Sequence, residues 1–405
     1  MSHLGSRAVP RALGAVALLG ALGHANAGAQ QIKTVFVIAM ENHNWTQPAN
    51  QFTGSIQQIY QNPNAPFINS LVNGTALALV GGRAVNISEE VAYATNYFSV
   101  LATPDGDNPH IHPSEPNYLW AEAGTNFGVL NDNDPFSPSG PTNQDATRHL
   151  SALLTDAGHT WRSYQEDIDL ARNAAGQLTN VPLPPDLWTV PLTSFSGNFA
   201  PGYVNMFNGS SQYNYAAKHN PMAFFTNTNG GNNPTPSNPL SSQYAPLQQL
   251  FTDLANNDAA EYNWITPNQF NDMHTTLTGG YRGLAGDPAK IRQGDDFLRQ
   301  IIPVIMASRA YQNHGAIIIW FDESEAVFSG DNPDDFNHTI AEIVISPRAH
   351  ENVDGLPYAS SVMYTHSSDL RTMQAIFRAG PLVGDAVNAN DLSDLFKPGA
   401  VPKKP

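Results

Sequence analysis

The sequence contains no cysteine. Disulfides and thiolate chemistry are therefore excluded, so a chain of 405 residues must be held by packing or by bound ions. Basic residues are scarce, with 19 Lys and Arg against 35 Asp and Glu. The resulting net charge of −16 argues against nucleic acid as a partner. It says little about a small anionic substrate, because a cation inside a site reverses the local field. Beyond the N-terminus no run is apolar and long enough to cross a bilayer, and no stable membrane insertion is expected.

The one extended hydrophobic stretch is N-terminal. Arg7 and Arg11 precede the apolar residues 12–22, and Ala25-Asn26-Ala27 follows. That order predicts a cleaved signal peptide over residues 1–29 and a secreted or periplasmic protein. The segment carries two of the basic residues and no acid, so 19 − 2 = 17 basic residues face 35 acidic ones in the remainder, a net charge of −18. Residues 30–396 read as a single domain with loop insertions near 130–145 and 226–246, and 397–405 as a flexible tail.

Three segments share one pattern. Residues 34–39, 261–266 and 316–321 are short runs, rich in β-branched and aromatic residues, that suit strands buried on both faces. The first runs into Glu41-Asn42-His43, the second into Pro267-Asn268 and then Asp272 and His274, the third into Asp322-Glu323. A fourth strand over 341–346 carries no such cluster. Helices are predicted over 144–157, 243–256, 289–312 with a kink at Pro303, and 369–378, giving a layered α/β order. Open parallel sheets gather their ligands outside the carboxyl ends of their strands, so the three polar clusters point to one shared site.

Glu41, Asn42, Asp322 and Glu323 offer three carboxylates and an amide oxygen, hard donors suited to a divalent cation. Either pair taken alone would equally face solvent or cap the next helix. Residues 114–123 read as a short helix capped by Ser114 and closed by Gly124, with Pro116 in the first turn. A hydroxyl at a helix start sits beside free N–H groups, which suits a phosphate, although a serine there is an ordinary cap. His110 and His112 read as solvated loop residues, His366 as either a helix-start partner or a substrate contact, and Trp120 and Trp161 as core or pocket wall.

Several short motifs occur in a familiar order: Met40-Glu41-Asn42-His43, Pro113-Ser114-x-Pro116-Asn117-Tyr118, His219-Asn220-Pro221, Thr266-Pro267-Asn268 with Asp272-Met273-His274, Phe321-Asp322-Glu323-Ser324, and the segment from Tyr364 to Thr372. In this the chain resembles the bacterial phosphoesterase family of acid phosphatases and non-haemolytic phospholipases C. The resemblance implies an alkaline-phosphatase-like α/β/α sandwich of three layers with a mostly parallel central sheet. It implies a hydrolase of phosphoric esters in which Glu41, Asn42, Asp322, Glu323 and Ser114 bind a divalent metal cation and Ser114 is the nucleophile of a phosphoseryl intermediate. Asn117 is then a donor to a phosphoryl oxygen, and His219 and His274 line the pocket and move protons. His338 is carried as a further catalytic candidate, although Asn337-His338 stands where many relatives have Asp-His. The absence of the long C-terminal extension of the larger phospholipases favours a phosphomonoesterase acting on a small phosphoester. A phospholipase C-type diesterase acting on a phospholipid head group is the alternative, and an exported, non-catalytic ligand-binding protein on the same scaffold is the second.

Overall fold

The computed structural model describes Met1 and residues 31–46, 58–99, 112–136, 142–200, 202–324 and 339–403. The expected signal peptide, His110, His338 and part of the loop near 130–145 lie outside the described residues.

Eight strands form the central sheet: β1 (Thr34–Met40), β2 (Val91–Ala94), β3 (Trp161–Gln165), β4 (Tyr244–Pro246), β5 (Tyr262–Thr266), β6 (Gly315–Phe321), β7 (Glu342–Ile345) and β8 (Tyr358–Ser360). Their order across the sheet is β4-β3-β5-β1-β6-β7-β2-β8. Five of the seven pairings are parallel, and only β7 runs against both neighbours. The three strands predicted to end in polar clusters, β1, β5 and β6, are the adjacent central ones. All three are buried almost throughout, as covering by helices on both faces requires. The register sets Ile38 beside Ile265 and Met40 beside Phe321, so the three carboxyl ends coincide.

The helices are α1 (Pro66–Val72), α2 (Ser114–Ala123), α3 (Leu150–Asp156), α4 (Leu247–Asn256), α5 (Asp287–Ala307), α6 (Arg309–Gln312) and α7 (His366–Ile376). One group packs α5 against α1 and α6, and another packs α2 against α7 and α3. The sheet between them gives the expected three-layer α/β/α sandwich. Three antiparallel ribbons, 77–80 with 83–86, 170–172 with 178–182 and 195–198 with 212–215, lie outside it.

Some sequence boundaries change. The helix expected over 144–157 starts only at Leu150, and part of the loop near 226–246 becomes the edge strand β4. Helix α5 passes through Pro303 and ends at Ala307, after which Ser308 accepts from Tyr311 N–H and starts α6. Helix α7 begins at His366 because Thr365 and Ser368 form a reciprocal capping box there. Within the expected tail, Ala400 and Val401 are buried, and Ile32 N–H donates to the Ala400 carbonyl at 3.0 Å.

Candidate active site

Glu41 follows β1 and Asp322 follows β6, and their main chains are tied together. Asp322 N–H donates to the Met40 carbonyl at 3.1 Å, and Asn42 N–H donates to Asp322 Oδ1 at 3.1 Å. The loop after β5 joins from the other side, where Glu41 N–H donates to the Asp272 carbonyl at 2.8 Å. Met273 in that loop has φ of +87°, and its side chain lies where a Cβ on Gly294 of α5 would fall. The missing Cβ at Gly294 leaves room for the Met273 and Met40 side chains where α5 meets this turn.

Helix α2 delivers the hydroxyl. Pro113, rather than Ser114, occupies the cap position, and Ser114 is the first helical residue, while Gly124 closes the helix in the left-handed region as expected. Ser114 Oγ lies 3.1 Å from Glu41 Oε2 and 3.3 Å from Glu323 Oε1, within donating distance of both carboxylates. One turn on, Asn117 Nδ2 donates to Glu323 Oε2 at 3.0 Å, so the amide expected to meet a phosphoryl oxygen also orients Glu323. The Glu115 N–H, one of the helix-start donors, is engaged by Asp132 Oδ1 at 3.2 Å.

Four carboxylates, Glu41, Asp272, Asp322 and Glu323, are thus buried together. Burial first, and then their mutual repulsion, pushes Glu41 and Asp322 well above the usual carboxylate range. For Asp272 burial is again the main cause, with the Asp322 charge adding to it. Burial also raises Glu323, against the pull of His112. Protons or a cation must balance such a group. The Asn42 carboxamide bears on which: its side-chain oxygen faces Glu41 Oε2 at 2.9 Å and Asp322 Oδ1 at 3.2 Å. Three oxygens converging repel one another unless a cation sits among them or the amide turns to present its nitrogen. The donor set of Glu41, Asn42, Asp322 and Glu323 therefore fits a hard divalent cation.

His219 lies in the 3-10 turn Ala217–His219, stacked on Tyr118 with ring centroids 4.9 Å apart and planes 12° apart. Its Nε2 is 3.3 Å from Glu41 Oε1 and its Nδ1 3.7 Å from Asp272 Oδ2. Burial, aided by Lys218 and His274, holds the imidazole well below its ordinary pKa, so these approaches are not ion pairs. His274, displaced mainly by burial to about 4, bonds through Nδ1 to Thr275 Oγ1 at 2.9 Å. Neutral imidazoles suit accepting a proton or binding a cation.

Ser114, Asn117, His219 and the four predicted cation donors thus meet in one buried pit, with Tyr118, Trp264 and Trp320 packed edge to face beneath it. Three contributors had no role assigned from the sequence. Asp272 was expected at the shared site but given no role there, and Tyr118, whose hydroxyl donates to Glu41 Oε1, read as part of a helix. His112 was assigned to solvent, yet its Nδ1 is 3.0 Å from Glu323 Oε1; its place just before Pro113-Ser114 was the available signal. His366 is buried inside the fold, and Trp120 and Trp161 are core residues.

The phosphoesterase family profile matches residues 24–379. A phosphate-repressible acid phosphatase from Penicillium chrysogenum is 22% identical over 290 residues, covering 71% of this chain and 52% of that protein. The chain thus spans about half the length of that relative. A phosphatidylinositol-3-phosphatase from Mycobacterium tuberculosis is 25% identical over 349 residues, 84% of this chain and 78% of that one. A solved protein of the alkaline phosphatase superfamily from Vibrio parahaemolyticus aligns with 90% of this chain and 72% of its own, at 13% identity and a TM-score of 0.45. With the profile spanning most of its length, the chain belongs to the phosphoesterase family.

Proposed function

We propose that this protein is an exported, cation-dependent phosphomonoesterase that works through a phosphoseryl intermediate on Ser114. The observation that carries the reading is the placement of Ser114 Oγ within 3.3 Å of both Glu41 and Glu323 at the start of a helix. A divalent cation held by Glu41, Asn42, Asp322 and Glu323 would supply positive charge that favours the ionised serine and the phosphoryl oxygens.

Ser114 Oγ forms the new bond to phosphorus while the bond to the leaving oxygen breaks, and its proton passes to Glu41 or Glu323. The leaving oxygen takes a proton from solvent, since both pocket histidines are held neutral. Asn117 keeps Glu323 in line for that transfer. Water then forms a bond to phosphorus as the Ser114 Oγ–P bond breaks; its proton goes to neutral His274, our candidate base, and Ser114 Oγ takes back the proton held by Glu41 or Glu323. Acid phosphatases and a phosphatidylinositol-3-phosphatase among the relatives support a monoester substrate over a diester, and the N-terminal sequence supports export.

The test is Ser114→Ala, assayed with p-nitrophenyl phosphate and p-nitrophenyl phosphorylcholine before and after chelation. Turnover of the monoester should fall at least about 10³-fold, as for loss of a nucleophile in other hydrolases, with the bound metal retained. Near-normal activity in the variant would remove Ser114 from the role. Preference for the phosphorylcholine ester would favour the diesterase reading, and inertness of the wild type toward every ester the ligand-binding one.

A further inference from the structure

We propose that the polar cavity beside the start of α2 is a subsite for the alcohol esterified to the phosphate, and that it selects a polyhydroxylated one, so that the substrates are sugar or polyol phosphates. This rests on the reading of Ser114 as the nucleophile of a phosphomonoesterase.

The cavity, of about 440 Å³, opens where the ribbon of 195–198 with 212–215 meets the loops carrying Asp132 and Gln269. That volume suits a small molecule. Its walls are bonded to the catalytic segments. Asp132 Oδ1 accepts from the N–H of Glu115, the residue after Ser114, at 3.2 Å. Lys218, which pairs with Asp132, directly precedes His219. Gln269 N–H donates to the Asn214 carbonyl at 3.0 Å, and the Gln269 carbonyl accepts from Thr275 N–H at 2.6 Å, in the loop that holds Asp272 and His274. Lys218 is also within electrostatic reach of the carboxylates: burial lowers its pKa, but Asp132, and then Glu41 and Glu323, raise it above the ordinary value.

The charged groups of the cavity are already engaged. Asp132 holds Lys218, and Asp134 accepts from Ser194 N–H at 2.7 Å and from the Ser194 hydroxyl. Among the described residues that line it, two carboxylates stand against one ammonium, so a second anionic group on the substrate meets net repulsion.

What stays open is neutral and polar. Among the described residues, the side chains of Asn133, Ser196, Asn214 and Gln269 line the cavity without a hydrogen bond to protein. Carboxamides and hydroxyls both donate and accept, as each hydroxyl of a polyol does. Beside them the Phe195 ring is 39% exposed and leans on Tyr215 with centroids 5.3 Å apart. The Tyr215 hydroxyl is turned away, donating to the Pro191 carbonyl at 2.6 Å. An exposed ring face next to free amides accommodates a sugar, whose ring carries C–H groups on its faces and hydroxyls on its rim. An alkyl group there would displace water from those amides and give nothing back, a penalty larger than any that a purely apolar pocket imposes.

The experiment compares kcat/KM of the full chain for glucose 6-phosphate and n-hexyl phosphate, two primary phosphate esters of six-carbon alcohols, with p-nitrophenyl phosphate as the activated control. Glucose 6-phosphate should be preferred to the hexyl ester by at least about tenfold. Asn214→Ala and Gln269→Ala keep the main-chain bonds of both residues, and each should lower that preference about 3–10-fold, chiefly by raising KM for glucose 6-phosphate. A merely structural defect would lower both esters together and leave their ratio unmoved. Equal kcat/KM for the two esters, a preference for the hexyl one, or a ratio unmoved in both variants overturns the subsite, while turnover of p-nitrophenyl phosphate leaves the phosphomonoesterase reading standing. Inertness toward all three esters overturns that reading and the subsite with it.

Discussion

The imidazole of His366 grips the main chain of Asp322: its Nε2 donates to the Asp322 carbonyl oxygen at 2.5 Å. On its other side, Nδ1 faces the Tyr97 hydroxyl at 2.8 Å and the Trp320 indole N–H at 3.0 Å. Burial lowers the imidazole pKa to about 3, so the ring is neutral and its tautomer is fixed by the carbonyl it serves. His366→Phe keeps the volume and strands several buried polar groups at roughly 1–3 kcal/mol each. A loss of about 2–4 kcal/mol in urea unfolding is expected, together with cation affinity weakened about tenfold. Unchanged affinity would show that the end of β6 needs no such support.

Tyr118 joins two parts of the site, donating from its hydroxyl to Glu41 Oε1 while its ring stacks on His219. Tyr118→Phe removes the first contact and keeps the second. Loss of a group that orients a cation ligand typically costs about 10–100-fold, and we expect kcat for p-nitrophenyl phosphate to fall in that range with little change in KM. A variant with wild-type kcat would mean that Glu41 is oriented by its other neighbours.

Behind the site, Tyr97 also donates to Asp369 Oδ2 at 2.5 Å, and Asp369 faces the buried Glu342 of β7. Burial raises Asp369 to about 7 and Glu342 well above its ordinary value, the latter with help from the Asp369 charge. A carboxyl raised on folding holds its proton more tightly in the native state. Its stabilising contribution is therefore complete below the unfolded pKa, near 4, and is lost as pH rises through about 7. Glu342→Gln supplies a hydrogen-bond donor that needs no proton. Urea midpoints between pH 4 and pH 7 should decline less steeply for the variant than for the wild type, and parallel declines would show that the pair does not set this slope.

Much of this arrangement was legible in the residues themselves. The apolar runs that became β1, β5 and β6 were evident because strands buried on both faces need continuous hydrophobicity, and the polar residues directly after them marked the site edge. The short strands were not. Val91–Ala94 and Tyr358–Ser360 are too brief to carry a period, and Tyr244–Pro246 contains a proline tolerated only because it lies at the sheet edge. Glu342 within β7 runs against any reading of a buried strand, and only its neighbour Asp369 on α7 accounts for it.

The sequence by itself determined the layered α/β order and the strand-end clusters of Glu41, Asn42, Asp322 and Glu323, because the chemistry of a strand end is written in consecutive residues, while the family and the choice of Ser114 came from the resemblance of its motifs. Only the tertiary structure decided the rest. It brought Asp272, Tyr118 and His112 to the same carboxylates, set His366 on the Asp322 carbonyl and held His219 and His274 neutral. Those outcomes depend on which groups burial brings within about 3 Å of one another, and a distance across the sheet has no period in the chain.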